Sequence, residues 1–269
     1  MPLLDLGGRT AFVEDRGEGP AVLMLPGMGA RYHTWMHQAE ALREHGYRVV
    51  AMDNRGAGPG APVPERLCLD DLVADVRAVV GQLFDGPFRV VGTSLGAFVL
   101  QEFLLSEPQV VQAVLAASRA RPDAFTRACG QAERSLAASG LMLPPAYEAV
   151  VRASQYLGSG TLEDDAAMAK WLDLFEMAAM AELAHPHWAQ QHVELDTDRR
   201  KDYQRISCDT LVIAFGDDRV APPSRGAELA ATVQRGRLVT IPSAGHLGHL
   251  ERPREVTAEI VAFFAGYPD

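Results

Sequence analysis

Two rhythms of apolar residues run along this chain. Up to about residue 118, short apolar runs alternate with longer stretches in which apolar residues recur three and four positions apart. The first rhythm is that of β-strands and the second that of helices. Strands are predicted at Thr10–Glu14, Ala21–Leu25, Arg48–Met52, Arg89–Val91 and Val110–Ala116. Helices are predicted at Tyr32–His45, stopped by Gly46, at Leu69–Leu83, and at Leu95–Ser106, ended by Pro108. A Gly/Pro-rich loop, Gly56–Pro64, follows the third strand. Runs of Val, Leu and Ile with helices between them point to parallel strands covered on both faces.

From about Arg119 to Arg205 the strand-like runs vanish, and Ala, Leu, Met, Glu and Arg dominate. Helices are predicted at Asp123–Ser139, Pro145–Leu157, Leu162–Ala184 and Pro186–Val193, punctuated by Gly140, Gly158-Ser159-Gly160 and Pro186. The Glu163-Asp164-Asp165 run is read as a helix N-terminal cap and solvated face. The β/α alternation then returns with strand Thr210–Phe215, helix Pro223–Thr232, strand Arg237–Ile241 and helix Arg254–Phe264. The pattern describes one α/β core, residues 1–118 and 206–269, interrupted by a helical insertion over 119–205.

Composition narrows the partners. Apolar residues make up 48 % of the 269 positions and charged residues 22 %, a globular balance. The formal net charge of −10 offers no basic face, so neither nucleic acid nor an anionic membrane surface is an expected partner. Cys68, Cys129 and Cys208 are odd in number and widely spaced, which suits thiols in a reducing cytosol rather than a disulfide framework or a metal site. The first residues carry no secretory pattern, and no run of about 18 apolar residues is present. A cytoplasmic protein acting on a small molecule is expected; the oligomeric state is left open.

Four segments carry chemistry. Gly92-Thr93-Ser94-Leu95-Gly96 stands between a strand and a helix. A tight turn there projects the serine oxygen above the carboxyl ends of the strands, with the helix N-terminus favouring negative charge. Gly245-His246 follows the last strand, and its imidazole is placed to activate a serine hydroxyl. His249, three residues on, is the local competitor, expected on the short helix that begins there. Asp217 and Asp218 follow a strand side by side, and one carboxylate of the two can hold the imidazole's tautomer while the other caps or turns the chain. Leu25-Pro26-Gly27-Met28-Gly29 ends an apolar strand, so the Met28 backbone N–H, with that of Leu95, is suited to bind an oxyanion.

The order Ser94, Asp218, His246 in these contexts resembles the α/β-hydrolase superfamily, whose triad runs nucleophile, acid, histidine. The likeness spans nearly the whole chain. LPGMG resembles the family's oxyanion loop, with Pro26 where a histidine is usual. Asp53-Asn54-Arg55-Gly56-Ala57-Gly58 resembles its D-x-R-G-x-G turn. LVIAFGDDRVAPP resembles the acid-bearing segment, with Phe215 in the place of a glycine; counting three on from it gives Asp218. AGHLGHLERP resembles the histidine segment G-H-x-x-x-x-E-x-P. The resemblance implies an α/β-hydrolase fold: a mostly parallel central sheet with helices on both faces and an inserted helical cap. It further implies Ser94, His246 and Asp218 as the catalytic triad, Met28 and Leu95 as the oxyanion hole, and no metal or organic cofactor. Ester hydrolysis or a related acyl transfer is the expected reaction. Thioesterases, C–C hydrolases, haloperoxidase-like enzymes and cyclases share the architecture, and a non-catalytic receptor is the reading from another class. In the cap, Trp171, Leu174, Phe175, Met177, Met180 and Trp188 divide between helix core and a cleft over Ser94, and Trp35 is a candidate wall of that cleft.

Overall fold

A computed structural model describes residues 3–57, 67–184, 188–191 and 193–267, without side-chain detail at 181–184, 188 and 189. Eight strands form one sheet: β1 (Leu3–Asp5), β2 (Thr10–Arg16), β3 (Ala21–Leu25), β4 (Arg48–Met52), β5 (Phe88–Thr93), β6 (Val110–Ala116), β7 (Asp209–Phe215) and β8 (Gly236–Ile241). They lie in the order β1-β2-β4-β3-β5-β6-β7-β8. β1 and β2, and β2 and β4, pair antiparallel, while every pairing from β4 to β8 is parallel. The fold is that of an α/β-hydrolase.

The apolar strands are buried on both faces, and their side chains alternate between two cores. Leu23 and Leu25 of β3, Val50 and Met52 of β4 and Val90 of β5 join one core, with α2 (Leu69–Leu83) and α3 (Leu95–Phe103). Val22, Met24, Val49, Ala51 and Val91 point the other way, into a core with α1 (Met36–Glu44) and, near the chain's end, Pro253–Ala265. This period of two explains why unbroken Val/Leu runs, rather than alternating ones, mark these strands.

The helical segment between β6 and β7 comprises α4 (Ala124–Ser139), α5 (Pro145–Tyr156), α6 (Ser159–Leu162), α7 (Asp165–Ala184), α8 (Trp188–Gln191) and α9 (Arg200–Tyr203). Three helices complete the chain: α10 (Pro223–Thr232), α11 (Gly248–Glu251) and α12 (Pro253–Ala265). α5 and α7 pack through a small core of Ala149, Ala153, Leu157 and Phe175, with Trp171 against it. Among the described residues, no helix is long and apolar enough to cross a membrane.

Several boundaries differ from the sequence expectation. Tyr32–His45 divides into a 3₁₀ turn over Tyr32–Trp35 and α1. Leu162–Ala184 is broken at Glu163-Asp164, where the Asp164 carboxylate accepts from the Ala166 and Ala167 N–H groups and starts α7. The three-residue edge strand β1 and the single turn α9 carry too little pattern to be foreseen. Most of the predicted Gly56–Pro64 loop, and Pro186 of the last predicted cap helix, lie outside the described residues.

The order of strands fixes where a site forms. From β3 the chain passes to β4 on one side and then returns to β5 on the other, so the connections leave β3 and β5 in opposite directions. The crevice between their carboxyl ends is the topological switch point, where open α/β sheets bind ligands. Leu23 is fully buried in the middle of β3. Leu23→Ala is expected to cost about 2–5 kcal/mol, read from urea unfolding monitored by circular dichroism; a loss under about 1 kcal/mol would mean that this core is not close-packed.

Candidate active site

β5 ends at Thr93, and α3 starts at Leu95. Ser94 alone makes the turn, at φ 50° and ψ −120°. A non-glycine residue rarely adopts such a φ, and holding it there costs on the order of 1–3 kcal/mol. The Ser94 N–H donates to Ala116 O at 3.0 Å, and Ser94 O accepts from the Phe98 N–H at 3.0 Å. The flanking glycines permit the crossing. A Cβ on Gly96 would lie 2.5 Å from the carbonyl oxygens of Leu25 and Pro26, and one on Gly92 would lie 2.8 Å from the Gly96 backbone. The nucleophile turn therefore rests directly on the end of β3.

His246 reaches this turn from the loop after β8. Its Nε2 is 2.9 Å from Ser94 Oγ, and its Nδ1 is 2.8 Å from Asp218 Oδ2. A carboxylate only accepts, so Nδ1 carries the proton, and Nε2 of the neutral ring is free to accept from the serine hydroxyl. The other oxygen of Asp218 accepts from the Val220 and Ala221 N–H groups, each at 2.8 Å. Asp218 is buried, and all these bonds hold its charge in one orientation.

Asp217 faces elsewhere. Its Oδ2 accepts from the Ser159 N–H at 2.8 Å and the Ser159 hydroxyl at 2.6 Å, and these bonds hold its carboxyl below the usual carboxylate range. It ties α6 to the loop after β7. Arg219 reinforces the tie by donating to Ser154 O at 2.6 Å. Glu251 of α11 does the same for the histidine loop, one oxygen accepting from the Gly158 N–H at 2.9 Å and the other from the Gly245 N–H at 2.7 Å. The two backbones run so close that a Cβ on Gly245 would collide with Tyr156 O. The helical segment is thus hydrogen-bonded to both loops that present Asp218 and His246.

Met28 and Leu95 flank the serine. A Cβ on Gly27 would lie 3.4 Å from Ser94 Cβ, which places the Met28 loop against the nucleophile. Neither the Met28 nor the Leu95 N–H has a protein acceptor among the described residues. The loop itself is tied down. Asn54 donates to Pro26 O at 2.8 Å, and Asp53 accepts from the Tyr32 N–H at 2.6 Å and from Arg31 Nε at 3.0 Å. Gln190, a fully buried residue of α8, accepts from the Gly29 N–H at 2.7 Å and donates to Arg55 O at 2.7 Å. Sequence reasoning quoted Asp53, Asn54 and Glu251 only as parts of motifs and missed Gln190 altogether; glutamine in a helical stretch carries no local signal.

Two candidates fall away. Trp35 is fully buried, donates through Nε1 to Leu25 O at 2.9 Å and stacks on His249, so it is core rather than a cleft wall. His249 is also buried, and neither ring nitrogen has a hydrogen-bond partner among the described residues. In the helical segment Phe175 is buried and Trp171 packs beside it, whereas Leu174, Met177 and Met180 are exposed. The Trp188 side chain lies outside the description.

The sequence profile described as "Alpha/beta hydrolase family" matches residues 22–260. The chain belongs to the α/β-hydrolase family. This α/β-hydrolase is 38 % identical over 254 residues, 94 % of its own length and 96 % of the relative's, to a Mycobacterium tuberculosis protein with the provisional name non-heme bromoperoxidase BpoC. The crystal structure of that protein superposes with a TM-score of 0.89, covering 96 % of this chain and 97 % of the other. It is 28 % identical over 250 residues to an Escherichia coli protein provisionally named carbamate hydrolase RutD, with 90 % of each chain covered. A thermophilic esterase from Thermogutta terrifontis shares the fold, with a TM-score of 0.81, 24 % identity and coverage of 96 % and 93 %.

The environment of His249 has a measurable consequence. Burial pushes its pKa down to about 3, with a smaller push from His246. In the unfolded chain it titrates near 6.5. Between these values the unfolded chain binds the extra proton, so stability falls as pH drops through the window, by up to about 1.4 kcal/mol per unit for this group. His249→Phe is expected to flatten the fall of unfolding free energy between pH 6.5 and 4, measured by urea titration at each pH. Parallel curves for variant and wild type would show that the ring is not buried neutral.

Proposed function

We propose that this α/β-hydrolase cleaves a carboxylic ester of a small, apolar substrate through an acyl-enzyme on Ser94. The observation that carries the reading is the unbroken hydrogen-bonded line from Ser94 through His246 to Asp218, with two uncommitted backbone N–H groups beside the serine. Ser94 Oγ attacks the ester carbonyl as His246 Nε2 takes its proton. Asp218 keeps the imidazole in the accepting tautomer and stabilises the cation that forms. The Met28 and Leu95 N–H groups receive the developing oxyanion, an interaction whose loss costs other serine hydrolases about 2.7–4 kcal/mol per donor. His246 then protonates the leaving alcohol. Water, deprotonated by the same nitrogen, releases the acid.

Residues 119–205 are read as a cap over this site. The ties from Asp217, Glu251 and Gln190 support that reading, since they join the segment to the acid, base and oxyanion loops. Most of the exposed large apolar side chains among the described residues stand on it, including Phe125, Tyr147, Val150, Leu174 and Met177. Such a concentration suits an apolar substrate.

The likeness to BpoC favours one second reading. If hydrogen peroxide replaces water, its attack on acyl-Ser94 frees the serine and forms a peracid. The peracid then oxidises bromide, giving hypobromous acid and the parent carboxylic acid. The two readings share every residue and differ in the second nucleophile.

A p-nitrophenyl ester series of two to eight acyl carbons, assayed with and without peroxide, bromide and acetate, tests both. Ester turnover is expected, with Asp218→Asn slower by about 10⁴ because the wrong tautomer is held and Asp217→Asn within about tenfold of wild type because its carboxylate bonds Ser159 rather than His246. Equal losses in the two aspartate variants would refute the assignment. Absence of both ester hydrolysis and bromination, with Ser94 inert to a fluorophosphonate, would refute the serine mechanism.

A further inference from the structure

Beside α3 lies a second cleft of about 340 Å³ whose lining includes none of the triad. This is within the range of small-molecule clefts, about 300–1,000 Å³. Its deep wall is formed by Phe98, Arg119 and Tyr203, all buried; Leu69 and Leu195 are half-buried, and Asp70 and Glu194 stand exposed at the rim. Arg119 is the unusual member. It is 6 % exposed, its Cζ lies 5.0 Å over the Phe98 ring, and its Nε has no hydrogen-bond partner among the described residues. No carboxylate pairs with its guanidinium among the described residues.

The other arginines of the cleft are committed. Arg121 pairs with Glu228 at 3.0 Å, and Arg199 makes a two-pronged pair with Glu102, which also accepts from the Tyr203 hydroxyl at 2.8 Å. Buried Arg89 at least donates to Gln112 Oε1 at 2.9 Å. Arg119 alone among these meets only an aromatic face. A desolvated guanidinium is costly unless an acceptor completes it, and its planar fork matches a carboxylate. Burial lowers the Arg119 pKa, consistent with that cost, while more distant carboxylates, Asp196 first, act to raise it.

We infer that this cleft, whose lining includes no triad residue, is a second ligand site that takes a small aliphatic monocarboxylate. The carboxylate pairs with Arg119 and the alkyl chain lies on Phe98, Leu69 and Leu195. The rim carboxylates of Asp70 and Glu194 select against multiply charged anions such as phosphate.

Isothermal titration calorimetry with butyrate at low ionic strength tests this, with butyramide as the neutral control. Wild type and Ser94→Ala are expected to bind butyrate alike and saturably, and butyramide not at all. Arg119→Met is expected to bind at least about tenfold more weakly, 1.4 kcal/mol. Exposed Glu194→Gln, which leaves the fold undisturbed, is expected to bind about two- to threefold more tightly through lost repulsion. No saturable binding by wild type, loss of binding in Ser94→Ala, full affinity in Arg119→Met or unchanged affinity in Glu194→Gln would each overturn the site.

Discussion

Ser94 sits in a backbone conformation that an L-residue adopts at a cost, and the surrounding chain is arranged to hold it there. The turn is wedged between the end of β3, which touches Gly96, and the end of β6, whose Ala116 carbonyl accepts from the Ser94 N–H. Both supports are buried parallel strands. The strain is therefore offset by packing in two cores rather than by anything at the site. What the strain gives is position: the serine oxygen stands clear of the sheet at the switch point, with the first turn of α3 directly behind it.

A second layer of constraint comes from the segment between β6 and β7. Its hydrogen bonds run to the loops rather than to the triad side chains. Asp217 accepts from Ser159, Glu251 bridges Gly158 and Gly245, and Gln190 accepts from Gly29. These bonds add to the loops' own backbone bonds, such as Gly216 N–H to Ile241 O at 2.8 Å and Asp217 N–H to Ala244 O at 2.9 Å. Placement of Asp218, His246 and the Met28 loop is in this way coupled to residues 119–205, and a shift of that segment would be felt at all three.

Two pairs of identical residues show how environment separates roles. Asp217 and Asp218 are neighbours, yet one is turned outward to a serine of α6 and the other inward to an imidazole. His246 and His249 are three apart, yet one lies between a hydroxyl and a carboxylate while the other is enclosed by Trp35 without a polar partner for its ring. Residue type supplies the same chemistry to both members of each pair; surroundings decide which member can use it.

Much of this was legible in the chain. Apolar runs identified seven of the strands within a few residues, most clearly β3 to β7, whose burial on both faces requires apolar residues almost throughout. The strand-to-helix placement of Ser94 and the glycines around it are local demands of backbone geometry, and the structure brings Ser94, His246 and Asp218 into one hydrogen-bonded line. Other features stayed hidden. Trp35 reads as a candidate cleft wall until packing puts it in the core. In the chain, Asp218 is preferred over Asp217 only by a count from a substituted glycine; folding turns the Asp218 carboxylate to His246 and the Asp217 carboxylate to Ser159. Gln190 and Arg119 have no local signature, because what distinguishes them is a partner gained, or missing, across long stretches of sequence. The chain by itself determined elements and chemistry, which are set by neighbours within a few residues; the tertiary structure alone decided partnership and burial, which are set by residues the sequence keeps far apart.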